Sequence, residues 1–132
     1  MSARGKARKA AIDLLFAADL RQTTPELSQL ELLGRQSRDY TKTLLEGVLA
    51  HRDRIDSYID AYAEGWDKDR LPAIDRNILR VAIFEMLWGE IEHAVAISEA
   101  VSLAEALSTE KSGGFINGLL ARISTLAPSL PR

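Results

Sequence analysis

The sequence predicts an all-α protein, and three observations carry that reading. Apolar residues recur at i, i+3, i+4 and i+7 through most of the 132 residues. No polar–apolar alternation lasts long enough for a strand. Pro and most of the Gly residues fall at the edges of the periodic stretches, where helices start and stop. About seven helices follow, with no repeat at a solenoid period. By length the chain is expected to form one domain spanning 1–132.

Residues 3–21, ARGKARKAAIDLLFAADLR, form an amphipathic helix with Ala11, Leu14, Leu15 and Ala18 as its core stripe and first turns open to fraying. Ile12 and Phe16 make a second apolar pair, rotated from that stripe; a wide core face and an exposed docking surface both fit it. Thr24-Pro25-Glu26 starts a short helix of 25–33 that Gly34 stops. Ser37 is a candidate N-cap for a helix of 38–50, and the charged HRDRID segment breaks it from another at 53–64. Gly65 closes that run, and WDKDRLP is a polar turn.

The most apolar long run, Leu71 to Trp88, is the expected central helix, with Asp75 able to cap it. Ile78, Ala82 and Met86 share one side with Leu79 and Ile83, while Arg76, Asn77 and Arg80 form its polar edge. Glu85 stands apart from that edge. No lysine or arginine lies at i±3 or i±4 from it, so its carboxylate needs solvent, a cation or a partner's donor. Helical spacing returns with Ile97, Val101 and Ala104. The STEKSGG stretch then reads as a loop before a last helix of about 115–126, and Pro128 ends the order. Gly118 inside that helix costs about 1 kcal/mol relative to Ala, which suggests a backbone packed closely against it.

Composition excludes several function classes. Hydrophobic residues at 46% and charged residues at 27% describe a globular chain, not a disordered one. Without cysteine there are no disulfides or thiolate metal sites. No apolar run reaches the length of a membrane span and the N-terminus is charged, so no membrane association is expected and the location expected is cytoplasmic. Net charge is −2, yet Arg4, Lys6, Arg8 and Lys9 precede the first acid, leaving 13 cations against 19 acids over the rest. Nucleic-acid contact would therefore be local.

Catalysis finds no support. His51 and His93 lie in separate polar connections without a spaced metal-ligand partner, and both read as surface residues. Gly113-Gly114 lacks the remainder of a P-loop, no G-x-G-x-x-G exists, and no cofactor is implied. The basic N-terminal segment reads either as a solvated tail or as a helix whose cations follow a phosphate backbone. Phe115, beside Lys111, either staples a helix start or meets a base.

The basic first helix, WDKDRLPAIDRNILRVAIFEM and VAISEAVSLAEALSTEKSGGFINGLL together resemble the NusB family of bacterial transcription antitermination factors. The resemblance spans almost the whole chain, with residues 22–36 the least diagnostic. It implies an all-helical protein of two small helical bundles without catalytic activity. Its implied partners are boxA-type single-stranded RNA of nascent ribosomal operons, the ribosomal protein NusE and the transcription elongation complex. By position it implies RNA contacts at Arg4, Lys6, Arg8, Lys9 and Phe115, with Lys111 adding local attraction, and NusE contacts at Phe16 and Glu85, with Ile12 supplying apolar surface. Lys111, Leu107 and Ala94 depart from the family pattern, where an acid, an aromatic and a proline are common. Whether the free protein forms a homodimer through the same docking face stays open. Two other readings are a protein-interaction adaptor and the helical domain of a ribosomal-RNA cytosine methyltransferase, whose methyl-donor domain has no room here.

Overall fold

The computed structural model describes residues 1–65 and 69–132; residues 66–68 of the polar turn WDKDRLP lie outside the described residues. Among the described residues there are six α-helices: α1 (Ala3–Arg21), α2 (Arg35–Ala50), α3 (Arg52–Tyr62), α4 (Ala73–Leu87), α5 (His93–Leu107) and α6 (Glu110–Leu126). Two 3-10 helices, Leu27–Leu32 and Ala127–Ser129, complete the chain, and no strand is present among the described residues. The segment expected as a helix of 25–33 takes the tighter 3-10 form, which suits a short connector.

The fold is built around α4, which touches α1, α2, α3, α5 and α6. Every residue from Asn77 to Leu87 is buried, as a helix apolar on most faces must be. Of its polar edge, Asn77 and Arg80 are buried and Arg76 is partly so. Asp19 of α1 accepts hydrogen bonds from Arg52 (3.1 Å), Arg76 (3.1 Å), Asn77 (3.0 Å) and Arg80 (2.7 Å), and Arg80 binds both oxygens of Asp56 at 2.8 and 3.0 Å. This network ties α1, α3 and α4 together and satisfies charges that burial would otherwise penalise.

Helix directions follow from a few bonds. Ser37 of α2 donates to the Ala3 carbonyl at 3.0 Å, and Thr41 lies 3.3 Å from the Ala7 carbonyl. Residue numbers rise together along both helices, so α1 and α2 run parallel. Against α4 they fall, Arg8 facing Glu85 and Asp19 facing Arg76, so α1 and α4 are antiparallel. Gly47 of α2 permits the approach of α4, because a Cβ there would lie 2.1 Å from the Phe84 ring.

Several local expectations are corrected. Gly34, not Ser37, precedes α2, and Ser37 is used to bind α1. Pro72 occupies the N-cap of α4, while the Asp75 carboxylate accepts from Ser112 of α6 at 2.8 Å. The STEKSGG loop is largely helical, since α6 begins at Glu110, and this Ser112 bond with packing on α5 overrides the turn preference of two glycines. No atom lies within 4 Å of where a Gly118 Cβ would stand, so no backbone packs there. Order continues past Pro128: Arg132 donates to the Leu87 carbonyl at 2.9 Å, binding a cation to the C-terminal end of α4. Both histidines are half-buried, His51 stacked on Trp88 with ring centroids 4.2 Å apart and His93 2.7 Å from Ser124 Oγ.

Candidate nucleic-acid interface

The basic helix is ordered from its first turn, because Ser2 caps it by accepting the Gly5 N–H at 3.0 Å. Arg4 and Lys6 are exposed, and Arg4 holds its guanidinium 5.0 Å from the centre of the Tyr40 ring, a cation–π placement that orients it without consuming its donors. Lys9 is half-exposed, with Nζ 2.9 Å from Asp13 one turn on. These three cations can follow a phosphate chain.

Arg8 cannot. Only 4% of it is exposed, and its Nε donates to both carboxylate oxygens of Glu85 at 2.9 and 3.0 Å. The Tyr40 hydroxyl donates to the same carboxylate. Burial disfavours the Arg8 cation, but the hydrogen bond and charge of Glu85 outweigh it and hold the guanidinium above its ordinary value. Burial, and then the hydrogen bond and charge of Glu85, push the Tyr40 hydroxyl above its ordinary range, so it remains a donor. The RNA contact implied for Arg8 is thus corrected to an internal ion pair.

The same geometry corrects Glu85. Expected to face a protein partner for want of a cation on its own helix, it is 1% exposed and receives its cation from α1, 77 residues away. Ile12 is also 1% exposed and belongs to the core, so it offers no docking surface. Phe16 remains half-buried on α1, three residues before the Asp19 hub that fixes this end of the helix.

On α6, Lys111 is exposed and Phe115 half-buried against the core. Phe115 is the sixth helical residue, so the helix-start N–H groups expected beside it lie in the turn before it, where the Ser112 N–H already donates to the Thr109 carbonyl at 3.1 Å. Its ring separates two clefts: one of about 370 Å³ beside Tyr62 and Arg122, the other of about 330 Å³ beside Asp75 and Lys111. Arg122 sits over Tyr62 at 5.4 Å and pairs with Glu64 at 3.0 Å.

The structure does not bring the two predicted clusters together. Arg4 and Arg8 pack near Glu85 at the C-terminal end of α4, whereas the first turn of α6 packs beside Asp75, ten residues earlier on α4 and roughly 15 Å along the helix axis. A ligand touching both must run along the molecule. Sequence reasoning missed Arg35 and Arg38, which the parallel packing of α1 and α2 sets beside the first turn of α1, flanking the Ser37–Ala3 bond. Their spacing at a helix start is a signal of charge, but not of which helix lies next to it.

A profile of the NusB family matches residues 5–125. The chain belongs to the NusB family. It is 48% identical to the transcription antitermination protein NusB of Salinispora arenicola, over 96% of this chain and 98% of that protein. It is 46% identical to that of Nocardioides sp., over 98% and 99%. Among solved structures, T. maritima NusB superposes with a TM-score of 0.83 at 32% identity, covering 92% of this chain and 90% of that one. A NusB–NusE complex with double-stranded RNA superposes with a TM-score of 0.84 at 27% identity, covering 95% and 98%. The family is one of non-catalytic antitermination factors, in keeping with a site made of cations and an aromatic ring.

Proposed function

We propose that this chain, as one domain over 1–132, binds boxA-type single-stranded RNA of nascent ribosomal operons together with NusE, as part of the transcription elongation complex in the cytoplasm. The observation that carries the reading is the fixed, capped first turn of α1 with Arg4 and Lys6 exposed in a chain of net charge −2. A net-acidic protein that keeps such a row ordered has a local polyanion site. Lys9 extends the row, Lys111 and Phe115 supply a second contact further along the strand, and the NusB–NusE–RNA complex lends the pairing of partners. Phe16, held by the Asp19 hub, is the NusE contact, and a homodimer would compete for it. Among the described residues no helix is long and apolar enough to cross a membrane.

Titration of a boxA-type RNA into the protein, with and without NusE, tests this. The expected result is measurable binding alone and tighter binding with NusE, lost on the NusE side in Phe16→Ala. Binding of NusE with no RNA affinity in either arm would leave the adaptor reading in its place.

A further inference from the structure

Most lysines and arginines of this chain are held by a carboxylate or a carbonyl. Among the described residues, those whose side chains are bonded to neither are Arg4, Lys6, Arg35, Arg38, Arg54 and Lys111. All but Arg54 and Lys111 gather where α1 and α2 begin, in a protein of net charge −2. No acid stands in the first turn of either helix to offset them.

The packing of the two helices sorts these cations by side. Ala7 of α1 and Thr41 of α2 meet at the seam, Thr41 Oγ1 lying 3.3 Å from the Ala7 carbonyl, and both are fully buried. Arg8, one residue after Ala7, and Tyr40, one residue before Thr41, both turn to Glu85 of α4. With 3.6 residues per turn, Lys6 and Lys42 therefore leave the seam on its other side, away from α4. Arg38 and Arg35 precede Lys42 by four and seven residues, so they share its face and form a stripe roughly 10 Å long on α2. Arg35 and Lys42 are exposed and Arg38 is half-buried; Lys42 has Glu46 at 4.0 Å, an exposed pair that a phosphate can displace.

We infer that this outer face of α2 is a second phosphate track, in which Arg35, Arg38 and Lys42 take the backbone of single-stranded RNA as it leaves Lys6. The inference rests on the RNA-binding reading above. Continuity with Lys6 favours RNA as the occupant, and so does the character of the stripe. Its exposed neighbours Gln36, Asp39 and Thr43 are polar, so it lacks the aromatic and apolar anchors on which a protein partner would depend. Contacts made to phosphate alone hold a strand without selecting its bases.

The test is fluorescence titration over a range of salt concentrations, with a boxA-type RNA and the same RNA lengthened by a uridine tract at either end in turn. On one of the two lengthened RNAs the wild-type log–log slope should steepen by about two units relative to the short RNA, at about −0.7 for each of three phosphates. A cytidine tract should give the same steepening. Arg35→Ala with Arg38→Ala should cancel about 1.4 units of it, whereas Arg54→Ala, which removes an equally unpaired cation from α3, should cancel none. Equal wild-type slopes on all the RNAs overturn the inference and leave RNA binding standing; binding of none removes both. A steepening that Arg35→Ala with Arg38→Ala preserves also overturns it, including the case where that variant loses only NusE and the stripe is a protein contact. The comparison of RNA lengths needs no variant, so the test survives a poorly folded one.

Discussion

Arg8, Glu85 and Tyr40 act as one unit: an ion pair buried on both sides, with its remaining carboxylate capacity taken by the phenol. Removing one member strands the other, so Glu85→Ala and Arg8→Ala should each lower stability by about 3–5 kcal/mol in denaturant melts. RNA affinity of the folded fraction should stay near wild type. That Glu85 needed a partner of some kind is legible in the sequence, because a carboxylate on an apolar helix face has few resolutions, although the expected partner was an external one. That Arg8 supplies it is not, since the pairing spans 77 residues and depends on the antiparallel packing of α1 on α4. The same limit hid the Asp75–Ser112 bond. Asp19 gives a pH signature. Burial alone would raise its pKa, but hydrogen bonds from Asn77 and the charges of Arg80 and Arg76 prevail and hold it below the ordinary 3.8. A carboxyl with a depressed folded value contributes stability that is present above its unfolded value and lost as pH falls through the folded one. Acid melts below pH 3.8 should therefore show a loss that Asp19→Asn, already destabilised at neutral pH, lacks. Equal acid slopes in the two proteins would mean that Asp19 keeps its ordinary value.

At the level of helices, two glycines predict opposite outcomes. Gly47→Ala drives a methyl into the Phe84 ring, and overpacking of this kind costs about 1–3 kcal/mol. Gly118→Ala meets open space within a helix and should stabilise by about 1 kcal/mol. Thermal melts of both decide the matter, and a stabilising Gly47→Ala would contradict the close contact of α2 with α4. Periodicity located α1 at 3–21, as observed, and placed α2, α3 and α4 within about three residues of their ends. It misjudged the start of α6 because Gly113-Gly114 is a turn signal only until a neighbouring helix holds it. Gly113 is buried, with Glu105 Cγ lying 3.2 Å from where its Cβ would stand. Local preference lost to packing there.

Across the whole molecule, α4 separates the two cationic regions and thereby sets the length of any ligand that reaches both. The basic N-terminus and Phe115 were legible as candidates from residue type and position. Which of the four N-terminal cations stay available was not, because only the fold removes Arg8. Phe115→Ala should weaken RNA binding by about 1–3 kcal/mol, and Phe115→Tyr should largely retain it, since the ring face persists. A melting-point loss that accounts for all of the Phe115→Ala effect would assign the ring to the core alone.

The central claim is that Arg4, Lys6 and Lys9 meet phosphates while Arg8 does not, and the salt dependence of RNA affinity tests it most directly. Three cations on a single strand predict a log–log slope near −2, at about −0.7 for each phosphate neutralised. Arg4→Ala with Lys6→Ala should flatten that slope by about one to one and a half units while leaving the melting temperature nearly unchanged. An unchanged slope in the folded double variant would contradict the account.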